Sequence, residues 1–195
     1  MSPSPTIGPA RLHPVPVALS ALPHIDAVII SHDHYDHLDI DTIKGLARSQ
    51  RANFYVPLGI GAHLRLWGLP AERVIELDWD ESATLGDLRI VCTPARHFSG
   101  RFLTRNTTLW SSWAIIGPRH RAFFGGDTGY TNGFTAIGAD YGPFDLTLSL
   151  HRHRIRFTPR KGSSSASSSE KPKWAKPAFI SGLNGAVTFR TPPRG

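Results

Sequence analysis

Cysteine is almost absent from this sequence. Cys92 is the single cysteine among 195 residues, which excludes an intramolecular disulfide framework and any zinc site built from several thiolates. Because Cys92 lies inside an apolar, strand-like segment, we expect it to be a small buried hydrophobic residue and not a nucleophile. Any metal ion would have to be held by histidine and carboxylate ligands.

Long hydrophobic runs are also lacking. No apolar stretch approaches the roughly 18 to 20 residues that a membrane-spanning helix needs, and the N-terminal residues lack the basic and then apolar pattern of a secretory signal. The sequence therefore predicts a cytoplasmic protein. Its length and its 40% hydrophobic residues suit one substantial core.

Acidic residues are scarce in only one part of the chain. Residues 1–150 hold 12 of the 22 lysines and arginines and 14 of the 15 acidic residues, whereas residues 151–195 have a net charge of +9. The basic pI thus belongs to a tail, and we expect no specific nucleic-acid partner for the body. The tail is expected to be a solvated end, and the alternatives are peripheral contact with an anionic membrane or salt-dependent binding of nucleic acid.

The chain has three regions that differ in amino-acid composition. Residues 1–23 contain six prolines and predict an extended lead-in. Residues 24–150 predict a layered α/β domain, and residues 151–195 are basic, rich in serine and proline and expected to be mostly disordered. Within the domain we expect strands and helices in alternation and then strands separated by turns, at Ile25–Ser31 (strand), Leu38–Ser49 (helix), Asn53–Val56 (strand), His63–Trp67 (helix), Arg73–Leu77 (strand) and three later strands in 88–94, 109–116 and 121–124.

The strongest chemical signal is a cluster of potential metal ligands at residues 31–37, SHDHYDH. His32 and His34 stand two apart just beyond a predicted strand, so their side chains can point to one side and share an ion. Asp36 and His37 follow as the chain turns into the next helix, which directs them toward a neighbouring second ion. The alternative, a polar loop after a strand, is weaker because ligand type and placement agree.

Two further candidates stand after other predicted strands. His97 follows the strand LRIVCTP, and Asp127 follows AFFGG, where two glycines permit a tight turn that directs the carboxylate away from the sheet. Imidazole nitrogen and carboxylate oxygen suit zinc at ~2.0 to 2.2 Å. Iron and manganese remain alternatives. Asp33, inside the cluster, is expected to hydrogen-bond to a liganding imidazole.

Three strings carry a family resemblance: SHDHYDH at 31–37, ARHFSGR at 95–101 and FFGGDTGY at 123–130. They resemble, in order and spacing, the metal-binding motifs of the metallo-β-lactamase superfamily. The longer strings RNTTLWSSWAIIGP and GDTGYTNGFTAIGADYGPFDL are most similar to the branch of N-acylphosphatidylethanolamine phospholipase D. The resemblance runs from about Pro9 to about Leu148.

The resemblance implies an αββα sandwich and two zinc ions. It places the first zinc on His32, His34 and His97 and the second on Asp36 and His37, with Asp127 bridging both. It gives the catalytic roles to Asp36, His37 and Asp127. It also implies that the first strands of the fold and its last strand, helix and final histidine ligand are missing or replaced here, so that a single zinc ion is the alternative.

The activity implied by the resemblance is zinc-dependent hydrolysis of a phosphodiester, with a lipid phosphodiester or another small ester as substrate. A metal pair makes a metal-bound hydroxide available near neutral pH, so that no side-chain nucleophile is needed. Two alternatives stay open, namely a lactonase or other ester hydrolase of the same superfamily, and a non-catalytic remnant with partial zinc binding. Four aromatic residues, Trp110, Trp113, Phe123 and Phe124, are expected to be core and not an acyl-binding surface.

Overall fold

The computed structural model of the chain describes residues 17–151, 154–157 and 187–189. The three helices are short, and a one-turn 3₁₀ segment at Leu19–Ala21 precedes them. The elements, in chain order, are β1 (Ala27–Ile29), α1 (Ile40–Ser49), β2 (Asn53–Pro57), α2 (Ile60–Leu66), β3 (Val74–Leu77), β4 (Ser82–Leu85), β5 (Leu88–Thr93), β6 (Ser112–Ile116), β7 (Arg121–Phe124), α3 (Gly133–Tyr141), β8 (Leu146–His151), β9 (Arg154–Phe157) and β10 (Val187–Phe189).

The strands form two sheets. The smaller has the order β10-β1-β2-β3, with β1, β2 and β3 parallel and β10 antiparallel to β1. The larger has the order β4-β5-β6-β7-β8-β9, and all its neighbours are antiparallel except β7 and β8. Because β1, β2 and β3 are parallel, helices must cross over between them, which is where α1 and α2 lie.

Alternating side chains of β1 and β2 divide the core into two layers. Val28 and Phe54 join a cluster with Ile43 and Leu46 of α1, on the outer face of the smaller sheet. Ile29 joins a second cluster, between the two sheets. On the far face of the larger sheet, the ring of Phe123 in β7 lies 6.0 Å from that of Phe134 in α3. The layers are therefore helix, sheet, sheet and helix, as predicted.

Helix α1 shows how local sequence fixes these layers. The side chain of Asp39 accepts a hydrogen bond from the Thr42 amide at 2.9 Å and caps the first turn. At the other end, the Arg73 guanidinium donates to the carbonyls of Ala47 and Gln50 at 3.0 and 2.9 Å. These contacts hold the end of the helix against the segment that leads into β3.

Some elements differ from the sequence-based expectations. Helix α2 begins at Ile60, three residues before the predicted start, and β4 and α3 were not predicted. Two short segments of 151–195 form strands, since β9 pairs with β8 and β10 pairs with β1, and the expectation that this tail is mostly disordered stays a prediction. The sequence RIRF of β9 alternates basic and apolar residues, which is the period of a strand. The rest of that tail and most of the proline-rich lead-in lie outside the described residues.

Among the described residues, no helix combines the length and the apolar character that crossing a lipid bilayer requires.

Candidate metal centre

The predicted ligands come from loops that follow three strands. The segment 31–37 leaves β1, His97 follows β5, and Asp127 follows β7. Backbone bonds join the last two loops, because the Gly129 amide donates to the Arg96 carbonyl at 2.8 Å. A further bond, from the Ser111 amide to the Ser31 carbonyl at 2.8 Å, ties the start of β6 to the first loop. Residues distant in sequence are thus brought to one edge of the two sheets.

Three imidazoles converge at this edge. Nε2 of His32 lies 2.9 Å from Nδ1 of His34. Nε2 of His97 lies 3.2 Å from Nε2 of His32 and 3.3 Å from Nδ1 of His34. Tetrahedral zinc bound to nitrogen at ~2.0 to 2.1 Å separates its ligands by roughly 3.3 Å, so this triangle has the size of one face of such a site.

A second group adjoins the first. His32, His37 and Asp127 each offer a ligand atom, and these three atoms lie within 4.8 Å of one another. Nε2 of His37 lies 3.0 Å from Oδ2 of Asp127. His32 belongs to both groups, so two cation positions would be neighbours. Asp127 is expected from the sequence to bridge both ions, and that role stays a prediction.

Asp36 lies outside both groups. Its Oδ2 is 3.7 Å from Nε2 of His37, and its side chain is 59% exposed. A carboxylate at this distance is positioned beside His37 and not among the converging atoms. Its role as a ligand to the second ion therefore stays a prediction.

Ser31 holds the imidazoles of both groups, and the sequence analysis gave it no role. Its Oγ lies 2.9 Å from Nδ1 of His32 and 3.5 Å from Nδ1 of His37. Its hydroxyl therefore fixes which ring nitrogen of His32 faces the cluster. The available signal was its place at the start of the SHDHYDH motif.

Gly126 makes room for Ser31. The backbone of Gly126 has φ +56°, and an added Cβ would lie 2.7 Å from Cβ of Ser31. Both conditions require glycine at this position. The Gly-Gly turn before Asp127 thus serves close packing under the cluster as well as the direction of the carboxylate.

Asp33 contacts the backbone and not an imidazole, contrary to the prediction. Its Oδ1 accepts a hydrogen bond from the Gly100 amide at 2.6 Å. Its Oδ2 is buried with no hydrogen-bond partner among the described residues. Asp33 therefore anchors the loop that follows His97 to the first motif.

Burial favours the neutral form of three of the cluster histidines, His32, His34 and His97. Burial lowers the pKa of His32 well below its usual value, and the neighbouring His37, His97 and His34 lower it further. Burial also lowers the pKa of His34 and of His97. A neutral imidazole presents the lone pair that a metal ion requires.

Asp127 is held in its ionised form. Burial alone would raise the pKa of its carboxyl, but the hydrogen bond with His37 and the electrostatic influence of the neighbouring rings of His37, His97 and His34 bring the pKa below its usual value. The second oxygen, Oδ1, is buried and has no hydrogen-bond partner among the described residues. An unpartnered carboxylate oxygen beside converging imidazole nitrogens fits a cation, so these residues suit the divalent metal that such a donor set prefers.

Of the four aromatic residues predicted to be core, Trp113 and Phe123 are buried, Phe124 is partly buried against the core between the sheets, and Trp110 is partly exposed and lies outside both core clusters. Trp113 is fully buried between the sheets, and its Nε1 donates to the Ile30 carbonyl at 3.1 Å. Phe123 is also buried. A different aromatic residue adjoins the cluster, because the Phe98 ring lies 4.7 Å from that of His34 and 4.8 Å from that of His97.

The single cysteine lies away from the cluster. Cys92 is buried, and burial raises the pKa of its thiol to about 12, which confirms the predicted unreactive core residue. A cavity of about 280 Å³ is lined by Gly117, Arg121 and Asp145 among others. It lies at the end of β7 opposite Asp127 and contains none of the predicted ligands.

Comparisons with known proteins match most of this chain. A family profile described as a beta-lactamase superfamily domain matches residues 2–162. An uncharacterised protein of Mycobacterium tuberculosis is 70% identical over 147 residues, which are 75% of this chain and 40% of that protein. The N-acyl-phosphatidylethanolamine-hydrolyzing phospholipase D 1 of Caenorhabditis elegans is 41% identical over 149 residues, which are 71% of this chain and 42% of that enzyme. The chain thus spans about two fifths of the length of these relatives.

Solved structures show the same fold at low sequence identity. The diiron β-hydroxylase CmlA of Streptomyces venezuelae is similar with a TM-score of 0.55 and 24% identity, over 66% of this chain and 26% of that one. An isothiocyanate hydrolase from Delia radicum gut bacteria is similar with a TM-score of 0.54 and 20% identity, over 72% of this chain and 57% of that one. These likenesses concern the arrangement of strands and helices alone.

Proposed function

This chain belongs to the metallo-β-lactamase superfamily, and from that premise we propose that it is a zinc-dependent hydrolase of lipid phosphodiesters. The observation that supports the proposal best is the convergence of His32, His34 and His97 beside the group of His32, His37 and Asp127. The neutral imidazoles of His32, His34 and His97 suit one divalent cation, and the adjacent His37 and the ionised Asp127 suit a second.

The substrate class comes from the relatives. A worm relative at 41% identity and a yeast relative at 32% identity both have names that describe hydrolysis of N-acyl-phosphatidylethanolamine by a phospholipase D. In that reaction water adds across a P–O bond and releases phosphatidic acid and an N-acylethanolamine. We propose the same reaction class here.

The residues of the candidate metal centre would have different roles in this reaction. Bound divalent cations supply an activated water near neutral pH and offset negative charge on the attacked phosphoryl group. His32, His34 and His97 would hold one cation, and His37 and Asp127, with His32 adjacent, would hold the other. Ser31 orients His32 through Nδ1, and Phe98 covers one side of the imidazoles with an apolar ring. Asp36, beside His37, would complete the second position.

Hydrolysis of N-acylphosphatidylethanolamine in detergent micelles by the zinc-loaded full chain tests the proposal. We expect turnover that a chelator abolishes and that added zinc restores. Asp127→Ala should lower kcat/KM by at least about a hundredfold, since loss of even an outer partner of a metal site costs 10- to 100-fold. His24→Ala is the matched control, because His24 is exposed and distant from the ligand groups.

Two outcomes would replace the proposal. Turnover of a lactone or carboxylic ester, with none of the phosphodiester, would support the broader ester-hydrolase alternative. Tight zinc binding without turnover of any of these substrates would support a non-catalytic metal-binding remnant.

A further inference from the structure

Two adjacent apolar side chains project from the loop that follows His97. Phe102 is 83% exposed and Leu103 is 88% exposed, the two highest values among the large hydrophobic side chains of the described residues. They stand at the tip of residues 98–106, named here the 98–106 loop. Single exposed hydrophobic residues are ordinary, but an adjacent pair at the tip of a loop beside a candidate active centre is not.

The base of this loop is tightly fixed. The Gly100 amide donates to Oδ1 of Asp33 at 2.6 Å, and Nη1 of Arg101 donates to the carbonyls of Asp33 and Leu38, each at 2.7 Å. The Ser99 hydroxyl donates to the Thr108 carbonyl at 2.6 Å. The projection of the tip is therefore part of the folded structure.

The backbone at the tip supports the same conclusion. Phe102 has φ +56°, in the left-handed region that a bulky residue rarely adopts. The Thr104 amide donates back to the Arg101 carbonyl at 3.0 Å and closes a turn around Phe102. Such a conformation persists when the surroundings impose it, and here it places Phe102 and Leu103 in solvent.

The charged residues of the loop and its flank are basic. Residues 96–106 contain three arginines and no acidic residue, and the carboxylate of Asp33 lies only at the base of the loop. Arg96 and Arg105 are exposed, and Arg101 is partly buried at the base of the loop. An apolar tip between cationic side chains is complementary to a surface that is anionic outside and apolar beneath.

The loop is continuous with the candidate metal centre. The Arg105 guanidinium lies 4.3 Å from the centre of the Phe98 ring, and that ring contacts the imidazoles of His34 and His97. A phosphodiester held at the level of lipid headgroups beside this loop would be close to the proposed cations.

We propose that the 98–106 loop is a membrane-insertion element, in which Phe102 and Leu103 enter the acyl region of an anionic bilayer while Arg105 and Arg96 contact its phosphates. A membrane fits better than a protein partner, because a stable protein interface buries about 1,000 Å² or more, and two side chains on a tip provide far less. This inference rests on the proposed function for its biological meaning, since it places that function at a lipid surface. Its test does not require hydrolysis.

A fluorophore at the tip tests insertion directly. Cys92 is the single cysteine and is buried, so a polarity-sensitive dye can be attached selectively to Leu103→Cys in the zinc-loaded full chain. With vesicles of equimolar phosphatidylcholine and phosphatidylglycerol we expect a blue shift and brighter emission. The same dye on Leu66→Cys is the matched control, because Leu66 is 80% exposed on helix α2 and should not shift.

Affinity for the same vesicles provides a second measurement. The double variant Phe102→Ser with Leu103→Ser should bind at least about tenfold more weakly, because each side chain loses burial of apolar surface. Arg105→Glu should weaken binding to anionic vesicles and leave the weak binding to pure phosphatidylcholine unchanged. Leu66→Ser should bind like the wild type.

Several results would overturn the inference. These are an unshifted spectrum at position 103, equal shifts at positions 66 and 103, or binding that the double variant retains. Loss of self-association in the double variant without any vesicle effect would assign the tip to a second copy of the chain instead. Insertion observed together with absent lipid hydrolysis would refute the proposed function and leave the membrane element intact.

Discussion

At the scale of single residues, the candidate centre depends on histidines that stay neutral. Burial of His32 lowers its pKa most, and its imidazole neighbours lower it further. This environment disfavours the protonated form of the His32 imidazole. It thereby favours the neutral form, which can bind a metal cation. Metal affinity and acid sensitivity should therefore have a common origin.

The metal-free chain should lose stability in mild acid. The usual pKa of His32 is 6.5 and the folded chain lowers it, so the unfolded chain takes up a proton that the folded chain does not. Stability is then complete above about pH 6.5 and decreases below it by about 1.4 kcal/mol per pH unit for this proton. Urea unfolding in the presence of a chelator between neutral and mildly acidic pH measures the slope.

The variant His32→Asn should reduce that slope, and His120→Asn, at an exposed histidine, should not. An identical slope in wild type and His32→Asn would show that burial of His32 does not govern the acid sensitivity.

Ser31 should matter for zinc affinity more than for stability. Ser31→Ala removes the Oγ that lies 2.9 Å from Nδ1 of His32, so we expect zinc affinity to fall by about tenfold or more. Ser112→Ala is the control, because Ser112 is equally buried and hydrogen-bonds to Pro94 at 2.8 Å. Chelator competition measures both variants, and an equal loss in the two would refute a specific role for Ser31.

At the scale of elements, the turn after β7 is the most constrained piece of the centre. Gly126 has a left-handed backbone, and the Cβ that Gly126→Ala adds would lie 2.7 Å from Cβ of Ser31. Gly86 has the same φ of +56°, but a Cβ there meets nothing within 4 Å. Alanine at position 86 would therefore introduce only backbone strain, whereas alanine at position 126 would introduce the same strain and a steric clash with Ser31.

We expect Gly86→Ala to lower the free energy of unfolding by about 1 to 2 kcal/mol, the cost of the left-handed conformation alone. Gly126→Ala should cost more and should also weaken zinc binding, because it displaces Ser31 from His32. Thermal unfolding and zinc titration of both variants check this. Equal costs with unchanged zinc affinity would contradict the packing described here.

Sequence periodicity predicted those elements whose signals are local. Strand β7 has the predicted bounds, and α1 begins after the cap that Asp39 provides. Helix α3 was not predicted because it contains Gly133 and Gly138 and buries only Ile137, so neither propensity nor an apolar stripe indicates it. Strand β4 is only four residues long and lies at a sheet edge, where pairing with β5 and not composition defines it.

At the scale of the whole molecule, the candidate site depends on long-range topology. His97 stands 65 residues after His32, yet their Nε2 atoms are 3.2 Å apart. The sequence indicated which residue types follow which strands. This was sufficient to predict one metal site from His32, His34, His37, His97 and Asp127. It could not predict that His32 lies in both groups or that Asp36 stands apart, because those positions depend on how two sheets pack.

The packing of the two sheets is therefore part of the site. Trp113, from the larger sheet, donates to the carbonyl of Ile30 beside the first motif. The strand ends that carry the ligands are held together by the same core that stabilises the fold. A metal ion bound across them would tie the two halves of the domain and raise the thermal stability of the chain.

Zinc content of the purified full chain after exhaustive dialysis tests the central claim most directly. The account predicts roughly two zinc ions per wild-type chain, loss of about one from His97→Ala, and unchanged content in His24→Ala. Equal zinc content in His97→Ala and wild type would contradict it, because a residue from the far end of β5 would then have no part in holding the metal.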